Sequence, residues 1–270
     1  MIHVAKKSMG QNFLKSKEAL NKMCSAGEVT DGDVIVEIGP GKGALTEKLL
    51  EKALKVFAIE KDRDLMAILA EKFEKEIKSG KLILIENDIL NFDPEKYNLK
   101  EGEYKIIANI PYNITGLIMR RFLSEVNKPT SMTLLVQKEV AERIVARDNK
   151  ESILSLSVKA YGTPKYIMKV HKRFFSPSPK VDSAIIHINN ISNKLFKDKT
   201  KEDLFFKLIK AGFAHKRKVL RKNLEEIEKD IRKIDEILNK LDINSKSRAE
   251  DIPFEKWVLL NDYLKEEKQK

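Results

Sequence analysis

Between residue 34 and about residue 188, short apolar runs alternate with segments whose apolar residues recur at the period of a helix. A short apolar run bounded by polar residues predicts a strand buried on both faces, and helical recurrence predicts an amphipathic helix. Regular alternation of the two predicts a doubly wound parallel sheet. The predicted strands are Val34–Ile38, Lys55–Ile59, Leu82–Glu86, Lys105–Asn109 and Met132–Gln137, and the predicted helices between them include Leu45–Ala53, Leu65–Ile77 and Ile114–Leu123.

Two later strands and a change of pattern complete the predicted fold. Tyr166–His171 and Ser183–Ile188 flank a proline-containing segment, so we expect an antiparallel hairpin closing one edge of the sheet. After the polar linker Asn189–Asn193, the pattern is helical only. The helical segments are Leu204–Phe213, Lys216–Lys229, Ile231–Leu241 and Phe254–Leu264. The chain is therefore predicted to have an α/β domain at 1–189 and a small C-terminal helical domain at 190–270.

Composition narrows the class of protein. The net charge of +11 in 270 residues favours an anionic partner. The single cysteine, Cys24, excludes an internal disulfide and a cysteine-cluster metal site, and the four histidines show no ligand spacing, so no metal is expected. The chain has neither the apolar core of a signal peptide nor an apolar stretch of about 18 residues. We therefore expect a cytoplasmic protein that is not bound to a membrane.

Polar residues and glycines recur where four successive predicted strands end. A glycine-rich turn with Gly39 and Gly41 follows the first strand, Glu60 ends the second, Asp88 follows the third, and Asn109 ends the fourth. Ligands bind at this edge of open α/β sheets. Glycines allow close approach of a ligand, an acid 21 residues after Gly39 suits ribose hydroxyls, and Asp88 suits an adenine amine. The turn matches neither of the two phosphate-binding fingerprints, so the glycines alone do not identify the ligand.

The segment Asn109-Ile110-Pro111-Tyr112 points to the reaction. An Asn side chain at a strand end offers an acceptor to an amino group, the proline stiffens the turn, and the tyrosine ring gives a nucleobase a face to stack on. These residues are therefore the candidate catalytic residues of an enzyme that holds an extruded adenine by its exocyclic amine. For each residue taken separately, a solvated loop or a packed core is the simpler interpretation.

The order of these groups resembles the Rossmann-like S-adenosylmethionine-dependent methyltransferases. Three further segments, Lys7–Leu14, Phe174–Ser183 and Phe213–Leu220, together with Asn109–Tyr112, look like the ribosomal RNA adenine dimethyltransferases that modify small-subunit RNA. The resemblance covers nearly the whole chain. It implies a Rossmann-like sheet with a C-terminal helical domain. It also implies methylation of adjacent adenines near the 3′ end of that RNA, a role in ribosome biogenesis, and a monomeric protein.

The resemblance also implies the binding residues. The cofactor S-adenosylmethionine is expected to contact Asn12, Leu14, Gly39, Gly41, Glu60, Asp88 and Asn109. Only Asn12 and Leu14 in this set come from the family motif alone.

The expected substrate contacts lie in other segments. Phe174 or Phe175 is expected to stack on the target base opposite Tyr112, with Phe175 favoured as the solvent-facing ring. Acid-free basic runs indicate an RNA footprint that binds mainly phosphates. One run contributes Lys216, Arg217, Lys218 and Arg221, although such a run is often only a solvated face.

Two alternatives remain open from the sequence. One is an adenine methyltransferase acting on large-subunit RNA, as the macrolide-resistance enzymes do, or on DNA. The other is a ribosome-assembly factor whose binding matters more than its methylation.

Overall fold

The computed structural model describes residues 5–6, 10–196 and 198–267. Its strands are β1 (Phe13–Leu14), β2 (Val34–Ile38), β3 (Lys55–Glu60), β4 (Leu82–Glu86), β5 (Lys105–Asn109), β6 (Ser131–Gln137), β7 (Thr163–Val170), β8 (Phe175–Ser176) and β9 (Ser183–Asn189). Its α-helices are α1 (Lys17–Ala26), α2 (Ala44–Leu50), α3 (Arg63–Lys72), α4 (Glu74–Lys78), α5 (Thr115–Ser124), α6 (Lys138–Ile144), α7 (Ile153–Lys159), α8 (Lys199–Gly212), α9 (Leu220–Leu224), α10 (Ile231–Lys240) and α11 (Phe254–Glu267).

Seven of the strands form one sheet in the order β4-β3-β2-β5-β6-β9-β7. The first five are parallel to their neighbours, and the hairpin of β7 and β9 adds antiparallel strands at one edge. The chain runs outward from β2 to β4 and then crosses to β5 on the other side of β2. This reversal opens a crevice at the carboxyl ends of β2 and β5, which is where α/β sheets bind ligands. The predicted parallel sheet and edge hairpin are confirmed.

Apolar burial explains why these segments are strands. Consecutive residues of β3 from Val56 to Glu60 are all buried, as expected for a strand covered on both faces. One core cluster joins the sheet to α1 and α2 through side chains such as Met23, Leu49 and Ile107, each with no exposed surface. Burial of this kind stabilises the fold by about 25 cal/mol per Å² of apolar surface.

A second, two-stranded sheet pairs β1 with β8 in antiparallel register, Phe13 opposite Ser176 and Leu14 opposite Phe175. The backbone N–H of Lys15 extends this pairing by donating to the carbonyl oxygen of Phe174 at 2.8 Å. The N-terminal segment is thereby joined to the connection between β7 and β9, a pairing that the sequence pattern did not predict.

Contacts divide the chain into two compact units, 1–141 with 162–192, and 142–161 with 193–270. The predicted boundary at 189/190 differs from this division because residues 142–161 group with the C-terminal helices. Within the second unit, the Tyr161 ring lies 5.6 Å from the Phe196 ring and 6.0 Å from the Phe206 ring, measured between centroids. These aromatic contacts fix the segment to helix α8.

Two predicted helices differ from the observed ones. The predicted helix Leu65–Ile77 breaks at Phe73, whose φ of −115° and ψ of 30° separate α3 from α4. The predicted helix Lys216–Lys229 is wrong over most of its length, because only α9 is helical and the preceding residues form turns. The buried side chain of Asn223 donates to the carbonyl oxygens of Gly212 (2.6 Å) and His215 (3.3 Å), which favours a turn over a continued helix.

Candidate functional site

A cavity of about 1030 Å³ opens at the carboxyl ends of β2, β3, β4 and β5. Its lining includes every residue that the sequence assigned to the cofactor and to catalysis. These are Asn12, Leu14, Gly39, Gly41, Glu60, Asp88, Asn109, Ile110, Pro111 and Tyr112. The cavity lies wholly within the first unit. Lys7, Ser8 and Met9 of the N-terminal motif lie outside the described residues.

The glycine-rich turn after β2 forms one wall of the cavity. Gly39 and Gly41 have φ values of +63° and +59°, which residues other than glycine rarely adopt. A β-carbon on Gly39 would project into open space, whereas one on Gly41 would lie 2.9 Å from the Phe13 ring. The turn therefore leaves bare backbone beside the cavity and packs closely beneath β1.

Glu60 lies at the end of β3 and is 7% exposed. Its carboxylate accepts hydrogen bonds from the backbone N–H groups of Lys61 (2.8 Å), Asp62 (2.9 Å) and Gly41 (3.3 Å). Burial raises the pKa of Glu60, and these hydrogen bonds partly offset that effect. The acid is thus fixed by the backbone at the place where the sequence predicts a ribose.

Asp62, two residues further on, holds the N-terminal segment against the cavity. Its carboxylate accepts from the Lys6 ammonium at 2.6 Å and from the Gln11 side-chain amide at 2.7 Å, and it caps helix α3 at the backbone N–H of Asp64. Sequence reasoning missed this role. The available signal was an aspartate at the position before a helix, where a side-chain cap is favoured.

Asp88 follows β4 and lines the cavity, as predicted. One carboxylate oxygen caps a short 3₁₀ turn at the backbone N–H of Leu90 (3.0 Å), and the other accepts from the Lys61 ammonium (2.8 Å). The Lys61 hydrogen bond, with that of Leu90, lowers the pKa of Asp88. The side chain is therefore ionised at neutral pH and able to accept from an amine.

Glu37, in β2, is a second buried acid beside the cavity. It is 1% exposed, and its Oε2 atom has no hydrogen-bond partner among the described residues. Burial raises the pKa of Glu37 to about 8. Burying an acid without a full set of hydrogen bonds costs free energy, and binding a proton removes the buried charge, so the acid stays neutral up to a higher pH.

Asn109 is held by the N-terminal segment. Its side-chain amide donates to the backbone carbonyl oxygen of Asn12 at 3.1 Å, and the Asn12 side chain donates to the Gly10 carbonyl oxygen at 3.1 Å. With its donor group engaged, Asn109 has its side-chain oxygen left to accept a hydrogen bond. Asn12 and Asn109, both predicted to contact the cofactor and 97 residues apart in the sequence, are therefore joined directly.

Tyr112 is half-buried in a 3₁₀ turn after Pro111 and lines the cavity. Its phenol oxygen lies 2.6 Å from the hydroxyl oxygen of Ser183, a fully buried residue at the start of β9. Burial raises the pKa of Tyr112, so the phenol is neutral at physiological pH. Sequence reasoning placed Ser183 in a family-like segment but gave it no role.

The two adjacent phenylalanines differ from the prediction in their exposure. Phe175 is 4% exposed and belongs to the core of the sheet domain, whereas Phe174 is half-buried. The Phe174 ring lies 5.1 Å from the Arg173 guanidinium group. The solvent-facing ring is therefore Phe174, and the preference for Phe175 was wrong because strand alternation at β8 turns Phe175 toward the core.

In the second unit, Lys216, Arg217 and Lys218 are exposed in the turn between α8 and α9. No ion pair joins them to an acid in the described part of the chain. Arg221 differs, because its guanidinium group makes two hydrogen bonds to the Asp235 carboxylate, at 2.5 and 2.8 Å. The acid-free run in the sequence is thus interrupted in space by an acid from α10.

No group of three or more His, Cys, Asp or Glu side chains in ranges 5–6, 10–196 and 198–267 is arranged to hold a metal ion. In the same ranges, no helix is long and apolar enough to cross a membrane.

Comparison with known proteins identifies similar sequences. A family model described as "Ribosomal RNA adenine dimethylase" matches residues 2–266. The "Ribosomal RNA small subunit methyltransferase A" of Fusobacterium nucleatum is 41% identical over 257 residues, covering 94% of this chain and 96% of that protein. The protein of the same description from Dehalococcoides mccartyi is 41% identical over 259 residues, covering 95% and 87%.

Solved structures share the fold. The crystal structure of the 23S rRNA methyltransferase ErmE matches with a TM-score of 0.79 at 23% identity, covering 94% of this chain and 100% of that one. A dimethyladenosine transferase from Plasmodium falciparum matches with a TM-score of 0.78 at 24% identity, covering 94% and 98%. At these identities the likeness concerns the fold alone, which agrees with the predicted Rossmann-like α/β class.

Proposed function

The chain belongs to the ribosomal RNA adenine dimethylase family, and from this premise we propose that it dimethylates adjacent adenines near the 3′ end of small-subunit ribosomal RNA. It is an S-adenosylmethionine-dependent enzyme, and its substrate is RNA. The observation that carries the proposal is the convergence of Asn109 and Tyr112 on the same cavity edge as Gly39, Glu60 and Asp88. One edge thus combines groups for a nucleoside-like cofactor with groups for an adenine.

The residues around the cavity fit S-adenosylmethionine. Glu60 would hold the ribose hydroxyls and Asp88 the adenine amine, while the bare backbone at Gly39 would allow close approach. Asn12 and Leu14 would close the site from the N-terminal side, where β1 packs over the glycine-rich turn. When bound, the cofactor supplies a methyl group on a positively charged sulfur.

Asn109 and its neighbours would act on the target adenine. The exocyclic amine of adenine is a poor nucleophile because its lone pair is delocalised into the ring. The Asn109 side-chain oxygen and the Ile110 carbonyl oxygen would accept hydrogen bonds from this amine and favour a pyramidal nitrogen. Pro111 fixes the turn, with a φ of −60°, and Tyr112 would stack on the base. Positioning of this kind supplies up to ~7–11 kcal/mol of a reaction barrier.

Two parts of the chain would contact the RNA. Phe174 would stack on the target base opposite Tyr112, because it is the more exposed of the two adjacent rings. Residues 190–270 would form a helical RNA-binding domain, in which Lys216, Arg217 and Lys218 bind phosphates. Arg221 would not bind phosphate, because its guanidinium group is hydrogen-bonded to the Asp235 carboxylate and links α9 to α10.

We propose further that the enzyme acts as a monomer in the cytoplasm on the small ribosomal subunit, and that its binding contributes to ribosome biogenesis. All ten residues assigned to the cofactor and to catalysis line one cavity of a single chain, which supports the monomer. Sedimentation with and without small subunits would test the stoichiometry.

Methyl transfer from labelled cofactor tests the activity directly. Purified protein is incubated with small subunits that lack the methylation, with large subunits and with DNA. We expect label in the small subunits, located on adenines near the 3′ end of their RNA. Label in the large subunits would instead favour the macrolide-resistance type of activity. Tight binding to small subunits without transfer would favour an assembly factor.

A further inference from the structure

Tyr112 and Ser183 are joined across the edge of the sheet. Tyr112 follows β5, and Ser183 begins β9, which is separated from β5 by β6. Because β9 is antiparallel, its first residue lies at the same edge at which the parallel strands end. Adjacent strands lie about 4.8 Å apart, so β5 and β9 are separated by two strand spacings, about 10 Å. The Tyr112 side chain reaches across this gap to the Ser183 hydroxyl group, where the two oxygens lie 2.6 Å apart.

Ser183 is an unusual residue for its surroundings. It has no exposed surface, and the next three residues of β9, Ala184 to Ile186, are apolar and equally buried. A buried hydroxyl group costs free energy unless it is hydrogen-bonded. Its side-chain partner is the Tyr112 phenol at 2.6 Å. Simple packing would be served equally well by alanine at this position.

The Tyr112 ring needs such a restraint. The ring is half-buried and lines the cavity, and it belongs to a short 3₁₀ turn rather than to β5. The turn itself is fixed where the Thr115 hydroxyl donates to the Tyr112 carbonyl oxygen at 3.2 Å, but this bond leaves the side chain free to rotate. The Ser183 hydroxyl fixes the far end of the ring.

We propose that Ser183 is a positioning residue for the target adenine, since its hydroxyl group holds the Tyr112 ring in the orientation that stacks on the base. The inference rests on the proposed function, because it needs an adenine at Tyr112. It gives Ser183 no contact with the cofactor or with the reacting atoms.

The test is a double-mutant cycle of Ser183→Ala and Tyr112→Phe, which remove the same hydrogen bond from its two ends. Methyl transfer to unmethylated small subunits is measured at saturating cofactor. One hydrogen bond corresponds to a loss of roughly three- to tenfold in kcat. We expect each single variant to show this loss and the double variant to lose no more than either one. The cofactor Kd, measured by calorimetry, should stay within about twofold of the parent value.

Ser131→Ala is the matched control. Ser131 is also a buried serine of this sheet, but it begins β6 and therefore lies at the opposite edge. We expect it to transfer methyl groups at the parent rate.

Several results would overturn the inference. Tyr112→Phe at the parent rate would do so even if Ser183→Ala failed to fold. Additive losses in the double variant, or a cofactor Kd raised as much as kcat falls, would indicate a general structural role. Absence of transfer by the parent protein would contradict the proposed function itself, and the inference with it.

Discussion

Asn109 places the two halves of one amide in different roles. Its nitrogen donates a hydrogen bond to the Asn12 carbonyl oxygen, which leaves its oxygen to accept a hydrogen bond from a substrate amine. We expect Asn109→Ala to reduce methyl transfer on the order of a hundredfold, the usual effect of losing one well-placed hydrogen bond in a transition state. Cofactor affinity should change little. Turnover within a few-fold of the parent would contradict the proposed role, and Asn91→Ala, at an exposed asparagine after β4, is the control.

Glu60 should show the opposite behaviour. Loss of a charged acceptor for hydroxyl groups costs ~1.5–3 kcal/mol, so Glu60→Ala should weaken cofactor binding roughly ten- to a hundredfold. Calorimetry measures this directly. Because the carboxylate also accepts from three backbone N–H groups, the unfolding free energy of the variant has to be measured in parallel. An unchanged affinity would remove Glu60 from the ribose role.

Glu37 gives a prediction about pH. Its pKa in the folded protein is about 8, above the ordinary value of 4.5, so between these values the folded state holds a proton that the unfolded state has released. The protein therefore loses stability as pH rises through this range, by ~1.4 kcal/mol per pH unit for one such group. Glu37→Gln should make that slope shallower by about this amount in cofactor-free protein, as measured by urea unfolding at a series of pH values. Glu71→Gln, at an exposed position of α3, should leave the slope intact. Parallel curves for parent and Glu37→Gln would contradict the assignment.

At the scale of elements, the sequence predicted best where burial alone decides the structure. β2, β4 and β5 match their predicted bounds, because each is a short apolar run bounded by polar residues. The cavity could be predicted for the same reason, since its residues follow these strands. The pairing of β1 with β8 could not, because strands of two residues have no period. The turn before α9 could not be predicted either. It depends on the hydrogen bond from the Asn223 side chain to the Gly212 carbonyl oxygen, and the spacing of apolar residues carries no sign of such a bond.

The packing of α8 against α11 gives a prediction at this scale. A β-carbon on Gly212, at the end of α8, would lie 2.3 Å from the Trp257 ring, which is fully buried. Overpacking of this kind costs ~1–3 kcal/mol, so Gly212→Ala should lower the free energy of unfolding by that amount. Gly116→Ala is the matched control, because the space at Gly116 in α5 is open and alanine favours a helix by up to about 1 kcal/mol. Equal stability of Gly212→Ala and the parent would show that the contact relaxes freely.

At the scale of the whole molecule, basic residues that pair with acids differ from those that are free to bind an anion. The formal charge of +11 is the excess of 52 Lys and Arg residues over 41 Asp and Glu residues. Many of the lysines pair with acids, such as Lys72 with Glu47 at 2.9 Å, and such exposed pairs contribute little net attraction for an anion. The exposed run Lys216, Arg217 and Lys218 has no such pairs among the described residues. The proposed RNA affinity of the second unit therefore depends on a few residues rather than on the net charge.

The salt dependence of RNA binding separates these two sources of affinity. Each phosphate contact removed should reduce the magnitude of the slope of log K against log salt by about 0.7–0.9. The triple variant Lys216→Ala, Arg217→Ala, Lys218→Ala should therefore bind small subunits more weakly and with a flatter slope, while its cofactor affinity stays the same. A triple variant of Lys52, Lys55 and Lys81 loses the same charge at the edge of the sheet opposite the cavity. If net charge alone attracted the RNA, both triple variants would weaken binding equally, and the turn between α8 and α9 would be an ordinary solvated surface.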